Sequence, residues 1–146
     1  MVFLVEEVAD ACLRKRQGRC YELAGRAMLD EGESDAWMLV HGRLSLAVVL
    51  GKAGTLTGRV CARQKQLMEQ GWYDHAWIEL DDGRIYDPVL NSYMPTDQYV
   101  AKWRAVVDHR YSYKEFIDLV NVSHNSGPWT DDERRAAAAA RKGVAA

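Results

Sequence analysis

Asp74-His75-Ala76-Trp77-Ile78-Glu79-Leu80-Asp81-Asp82-Gly83-Arg84-Ile85-Tyr86-Asp87-Pro88 reads as a β-hairpin that carries a histidine on its first strand and an aspartate on its second. His75, Trp77 and Glu79 alternate with Ala76, Ile78 and Leu80, the period of two that marks a half-buried strand, and Ile85-Tyr86 resumes it after Asp-Asp-Gly. A three-residue connection, Asp81-Asp82-Gly83, with glycine in the left-handed position predicts Leu80 opposite Arg84 and Trp77 opposite Asp87. His75 and Asp87 then share a face on a cross-strand diagonal, roughly 7–8 Å apart at the backbone and within side-chain reach. A two-residue turn would send them to opposite faces, so this turn decides whether the two side chains can meet.

An imidazole beside a carboxylate invites a search for a nucleophile. Upstream, Cys20, Leu23, Ala24, Ala27 and Met28 fall at i, i+3, i+4, i+7 and i+8, one face of a helix that Gly32 is expected to stop. Cys20 lies in its first turn, where unpaired amides and the positive end of the helix dipole favour a thiolate and can bind an oxyanion. A cysteine nucleophile needs an imidazole partner, and the imidazole needs a third group to hold its tautomer. Cys20, His75 and Asp87 are the candidates for the three roles.

The rest of the chain bounds what surrounds them. With 146 residues and 48% hydrophobic content, one domain suffices. We expect it over residues 1–130, with a peripheral C-terminal helix or tail over 131–146, whose five alanines provide propensity but no stripe of large apolar residues. A formal charge of −2 argues against a nucleic-acid binder that neutralises phosphates. The Met-Val-Phe-Leu-Val start meets Glu6 and Glu7 at once, and no apolar run approaches membrane-spanning length, so the expectation is no membrane partner and a cytoplasmic site of action. Cys12, Cys20 and Cys61 are an odd number without CxxC spacing, which supports neither a disulfide framework nor a metal site.

Between the landmarks, residues 3–16 suggest a first packing helix, Trp37 to His41 and Arg43 to Leu50 read as strands, and Val60 to Gln70 as a short helix ending at Gly71. Thr96 is placed to cap a helix holding Tyr99, Val100, Trp103, Val106 and Val107, followed by a strand over Asp108 to Tyr111. Ser112-Tyr113-Lys114-Glu115 and Thr130-Asp131-Asp132-Glu133 match capping boxes. His41, at a strand end beside glycine, is expected to be loosely packed or at the surface. Trp77 and Tyr93 are the aromatics expected to line a substrate groove, and Gln17 is a candidate oxyanion donor beside the Cys20 amide.

The order of Cys at a helix start, His-Ala-Trp-Ile-Glu on a strand, and Tyr-Asp-Pro ending the next strand resembles the transglutaminase-like core of the papain-like cysteine protease superfamily, over about residues 10–95. Locally, Arg16-Gln17-Gly18-Arg19-Cys20-Tyr21-Glu22 is similar to the active-site cysteine segment of arylamine N-acetyltransferases, from which Gln17 departs. The resemblance implies an α+β fold in which the nucleophile helix packs on an antiparallel sheet, with additional C-terminal helices. It implies Cys20 as nucleophile, His75 as base and Asp87 as its orienter. The implied chemistry is cysteine-dependent acyl transfer. It would hydrolyse an amide or peptide bond or transfer the acyl group to an amine, acting on a peptide, protein or small amide substrate with neither metal nor organic cofactor. A small N-acyltransferase and a non-catalytic protein-binding module on the same fold are the alternatives. Oligomeric state has no signature in the sequence.

Overall fold

The computed structural model describes residues 19–53 and 62–145. The expected helix over 3–16, and Cys12, Gln17 and Cys61, lie outside the described residues. The chain is α+β. The described elements are α1 (Cys20–Glu31), β1 (Trp37–Ser45), α2 (Leu46–Ala53), α3 (Ala62–Glu69), β2 (Trp72–Leu80), β3 (Arg84–Asp87), β4 (Ser92–Pro95), α4 (Thr96–Trp103), β5 (Val106–Tyr111), α5 (Tyr113–Ser123) and α6 (Asp131–Ala145). The strands form one antiparallel sheet in the order β4-β3-β2-β1-β5.

The alternation along β1 and β2 divides the core in two. On one face Leu39, Ala76, Ile78 and Tyr111 pack against Cys20, Ala24 and Met28 of α1, Phe116 and Leu119 of α5, Trp129, and Ala137 of α6. On the other, Val40, Leu44, Trp77 and Ile85 pack with Val49 of α2 and with Tyr99 and Trp103 of α4. The polar residues of the hairpin follow the same alternation, so Asp74 goes with Ala76, whereas His75 and Asp87 go with Trp77 and Ile85.

Several expectations change once the elements are packed. The apolar run Arg43 to Leu50 is not one strand: β1 ends at Ser45 and Leu46 opens α2, its amide donating to Gly71 O at 3.0 Å and the Val48 amide to Ser45 Oγ at 3.4 Å. A short apolar run does not distinguish a buried strand from a buried helix. Val106 and Val107 belong to β5, because α4 stops at Trp103 with Arg104 in the left-handed conformation (φ 50°). Thr96 does not cap α4; its amide and hydroxyl both donate to Gly83 O, at 2.9 Å each, tying α4 back to the hairpin turn.

Both capping boxes are present. Glu115 N donates to Ser112 Oγ at 3.2 Å while Ser112 N donates to Glu115 Oε1 at 3.0 Å, and Thr130 and Glu133 make the same exchange at 3.1 and 3.0 Å. The helix that the second box starts is not peripheral. Ala137 is only 2% exposed and lies within the core cluster. Arg134 donates to Trp129 O at 2.7 Å and Tyr111 Oη at 3.3 Å, and Arg141 Nε to Asp118 of α5 at 2.6 Å. The small alanine side chains let α6 lie close along α5, so the absence of large apolar residues reflects close approach rather than exposure.

Candidate active site

Gly83 takes φ +84°, and the hairpin pairs Ile78 with Tyr86 and Glu79 with Ile85, the register expected from a three-residue connection. Extending that register sets Trp77 against Asp87 and His75 on the diagonal. The two side chains close the gap: His75 Nε2 stands 2.8 Å from Asp87 Oδ2, with both residues buried.

The carboxylate is held from three further directions. Tyr99 Oη donates to Oδ2 at 2.7 Å, and the amides of Val89 and Leu90 donate to Oδ1 at 3.0 and 3.3 Å. The amide bonds form because the chain turns just after Pro88, an Asx-type turn that fixes the Asp87 rotamer. Tyr99 had no sequence signal as a site residue. Its spacing with Trp103 marks an inward helix face, but nothing local to α4 says that its hydroxyl ends on a carboxylate twelve residues upstream.

Charge follows from this geometry. Burial works against ionisation of both partners. For His75 the Asp87 carboxylate, by its charge and hydrogen bond, and then Cys20 outweigh it and raise the imidazole from 6.5 to about 10. For Asp87 the same burial is outweighed by the His75 charge and hydrogen bond and by the Tyr99 and Leu90 donors, which keep its pKa below the ordinary aspartate value. The dyad is thus an imidazolium–carboxylate pair at neutral pH.

Cys20 approaches from the start of α1. β3 pairs with β2 at Ile78 and Glu79 alone, so among the described residues the N-terminal half of β2 has β1 on one side and no paired strand on the other. On that side α3 lies against β2, with the Asp74 amide donating to Gln64 Oε1 at 3.0 Å. α1 packs on the Ala76 face, and Cys20 at its start is near enough to act on Tyr73, His75 and Tyr99, whose ring cluster lies on the other. His75 Nδ1 is buried with no hydrogen-bond partner among the described residues, and Cys20 is near enough to contribute, after Asp87, to the raised imidazole pKa. With Nε2 committed to Asp87, Nδ1 is the nitrogen left for the thiol. Among the described residues no side chain caps α1, whose first internal bond runs from Leu23 N to Arg19 O at 2.8 Å, so the Cys20 amide precedes the helical ladder.

The other candidates separate. Trp77 is fully buried and lines no groove: its indole fills the core between His75 (ring centroids 6.2 Å apart) and Tyr99 (5.6 Å) and lies under Gly42. The inward phase of β2 that brings His75 to Asp87 carries Trp77 into the same core. Tyr93 is 52% exposed on β4, its ring tilted against Tyr86 with centroids 4.8 Å apart and beneath the Arg84 guanidinium. Glu22 is an exposed ion-pair residue between Arg19 and Arg26. His41 is neither loose nor on the surface; it is buried among Tyr21, Tyr111 and Trp129, with ring centroids 4.6, 5.1 and 4.9 Å away.

Among the described residues, no group of three or more His, Cys, Asp or Glu side chains is placed to hold a metal ion, and no helix is long and apolar enough to cross a membrane. No family model, curated protein or solved structure matches the chain.

Proposed function

We propose that the chain is a cysteine-dependent acyl-transfer enzyme on a transglutaminase-like core, with Cys20 as nucleophile, His75 as proton carrier and Asp87 as the group that orients it. The observation that carries this reading is the buried Asp87 carboxylate on His75 Nε2, with Nδ1 unpaired among the described residues and Cys20, at the start of α1, near enough to contribute to the raised imidazole pKa. An orienter on one ring nitrogen and a nucleophile facing the other is what imidazole-assisted thiol chemistry requires.

The substrate is a peptide, protein or small amide. Cys20 Sγ attacks the carbonyl carbon and the oxyanion accepts from the Cys20 amide at the start of α1. As the tetrahedral adduct collapses, the C–N bond breaks and the leaving nitrogen takes the imidazolium proton of His75, leaving a thioester on Cys20. Water, or an amine, then attacks while His75 takes its proton, and the acid, or the new amide, departs as the thiolate re-forms. Asp87 keeps the imidazolium in place throughout.

A second reading rests on closure of the site. Cys20 and His75 are each 5% exposed, which suits a protein-binding module that keeps the fold without using the thiol. Intact-mass measurement after incubation with peptide and activated-ester panels separates the two. A thioester adduct that is absent from Cys20→Ala and slowed in His75→Ala supports catalysis. Alkylation of Cys20 at the same rate in wild type and His75→Ala, with no adduct, leaves the binding module as the better account.

A further inference from the structure

A second polar constellation lies on the opposite face of the sheet from the dyad. His41, Arg63, Asp74, His109, Trp129 and Arg134 line a cavity of about 350 Å³, together with Gly42, Asp108 and Pro128. Its floor is unusual in one respect: His41 is 4% exposed and its Nε2 has no hydrogen-bond partner among the described residues. Buried polar atoms are normally satisfied, so an unpaired imidazole nitrogen on a cavity wall marks a place where something else supplies the bond. The approach over the ring is kept open by glycine. Gly127 takes φ +97°, and a Cβ there would stand 2.6 Å from His41 Cε1 and 3.4 Å from Nε2.

Charge selects the kind of ligand. Both lining carboxylates are committed, Asp74 to Arg63 Nε at 3.0 Å and Asp108 to Arg43 at 3.0 Å. Arg134 faces Asp131, but that carboxylate is 78% exposed and screened by solvent. After burial, the groups acting on His41 are His109, Arg63 and Arg134, all of which disfavour a positive ring and hold its pKa near 3. The guanidinium groups carry more donors than these bonds use: Arg63 gives Nε and Nη2 to Asp74, and Arg134 gives Nη1 to Trp129 O and Tyr111 Oη and Nη2 to Asp131, so Arg63 Nη1 and Arg134 Nε have no hydrogen bond among the described residues and can join a neutral His41 ring in donating to an anion.

We propose that this cavity is a binding site for a small oxyanion, a carboxylate or a phosphate, held by His41 Nε2 with Arg63 and Arg134. The site is independent of Cys20 and stands whether or not the chain is an enzyme.

The test titrates the full chain with inorganic phosphate and, separately, with succinate, at ionic strength held constant with sodium chloride. The readouts are the His41 ring resonances and the thermal midpoint. Saturable movement of the His41 signals with a rise in midpoint is expected for one of the two anions, and which one distinguishes phosphate from carboxylate chemistry. Affinity should fall about tenfold or more in His41→Phe, which keeps the ring stack and removes the nitrogen, as for loss of one charge-assisted hydrogen bond. Should that variant fail to fold, Arg63→Gln, altered at a half-exposed side chain, decides by the same criterion. Cys20→Ala should bind as wild type does. Effects no larger than those of chloride for both anions, or undiminished affinity in the deciding variant, overturn the proposal.

Discussion

The Tyr99 hydroxyl donates to Asp87 Oδ2 at 2.7 Å, the same oxygen that faces His75 Nε2 at 2.8 Å. One carboxylate oxygen thus joins the helix after the hairpin to the imidazole within it, and its second oxygen is occupied by the Val89 and Leu90 amides. Tyr99→Phe keeps the ring on Trp77 and removes only the donor. It should lower stability by about 1.5–3 kcal/mol, the usual range for a hydrogen bond to a charged group. Denaturant unfolding at neutral pH measures this. An unchanged midpoint would mean that Tyr99 contributes only packing.

The dyad and His41 give stability a pH dependence on both sides of neutrality. His75 is raised from 6.5 to about 10, so the stability it contributes is fully present below pH 6.5 and is lost as pH climbs through about 10. Asp87 is lowered, so its contribution is present above the ordinary aspartate pKa and disappears as pH falls through the folded value. His41, held near 3 chiefly by burial, adds to the acid side: between 6.5 and about 3 the unfolded chain takes up a proton that the folded chain refuses. The thermal midpoint should therefore fall in both directions from near pH 6.5. Asp87→Asn, although destabilised overall, should flatten the alkaline limb, and His41→Phe should flatten the acid one. Limbs of unchanged slope in these variants would refute the assignments.

Gly42 sits opposite His75 in the β1–β2 register, where β1 shifts its pairing with β5. A Cβ at this position would lie 2.2 Å from Val106 O and 2.6 Å from the Trp77 ring. Neither a backbone carbonyl nor a core indole can yield easily, so Gly42→Ala should destabilise by about 2–3 kcal/mol, as overpacking does, and shift Trp77 beneath His75. Unfolding curves and tryptophan fluorescence read both effects together. A variant as stable as wild type would show that the bulge can move.

Removal of residues 131–146 should lower the thermal midpoint substantially, because Ala137 is part of the core and Arg134 and Arg141 tie α6 to Trp129, Tyr111 and Asp118. Exposing even ~150 Å² of apolar surface costs about 4 kcal/mol. For a chain of this size that is roughly 10 °C. Ala137→Asp should reproduce much of the loss by placing a charge in the same contact. A truncated chain melting like the whole would return α6 to the periphery.

Local chemistry made much of this protein legible. The His75–Asp87 register follows from alternation and from one glycine able to take φ +84°, and the capping boxes of α5 and α6 follow from side chains three residues apart. Gly32 ends α1 at φ +79°, with its amide on Met28 O at 3.1 Å, as the sequence spacing leads one to expect. Each of these is a hydrogen bond or a backbone angle determined within a few residues, so the partners are neighbours in the chain.

What depended on packing was decided by segments far apart. Leu46–Ala53 is a helix because its first amide meets Gly71 and Val49 meets the α4 side of the sheet; the run of apolar residues suits either structure. Trp77 is core rather than groove because Tyr99 and Gly42 close over it, and His41 is buried because Trp129, 88 positions later, stacks on its ring. Tyr99 joins the dyad for the same reason. Burial and long-range hydrogen bonds are properties of what another segment brings to a position, and a pattern of residues along one strand or helix records only which side it will present.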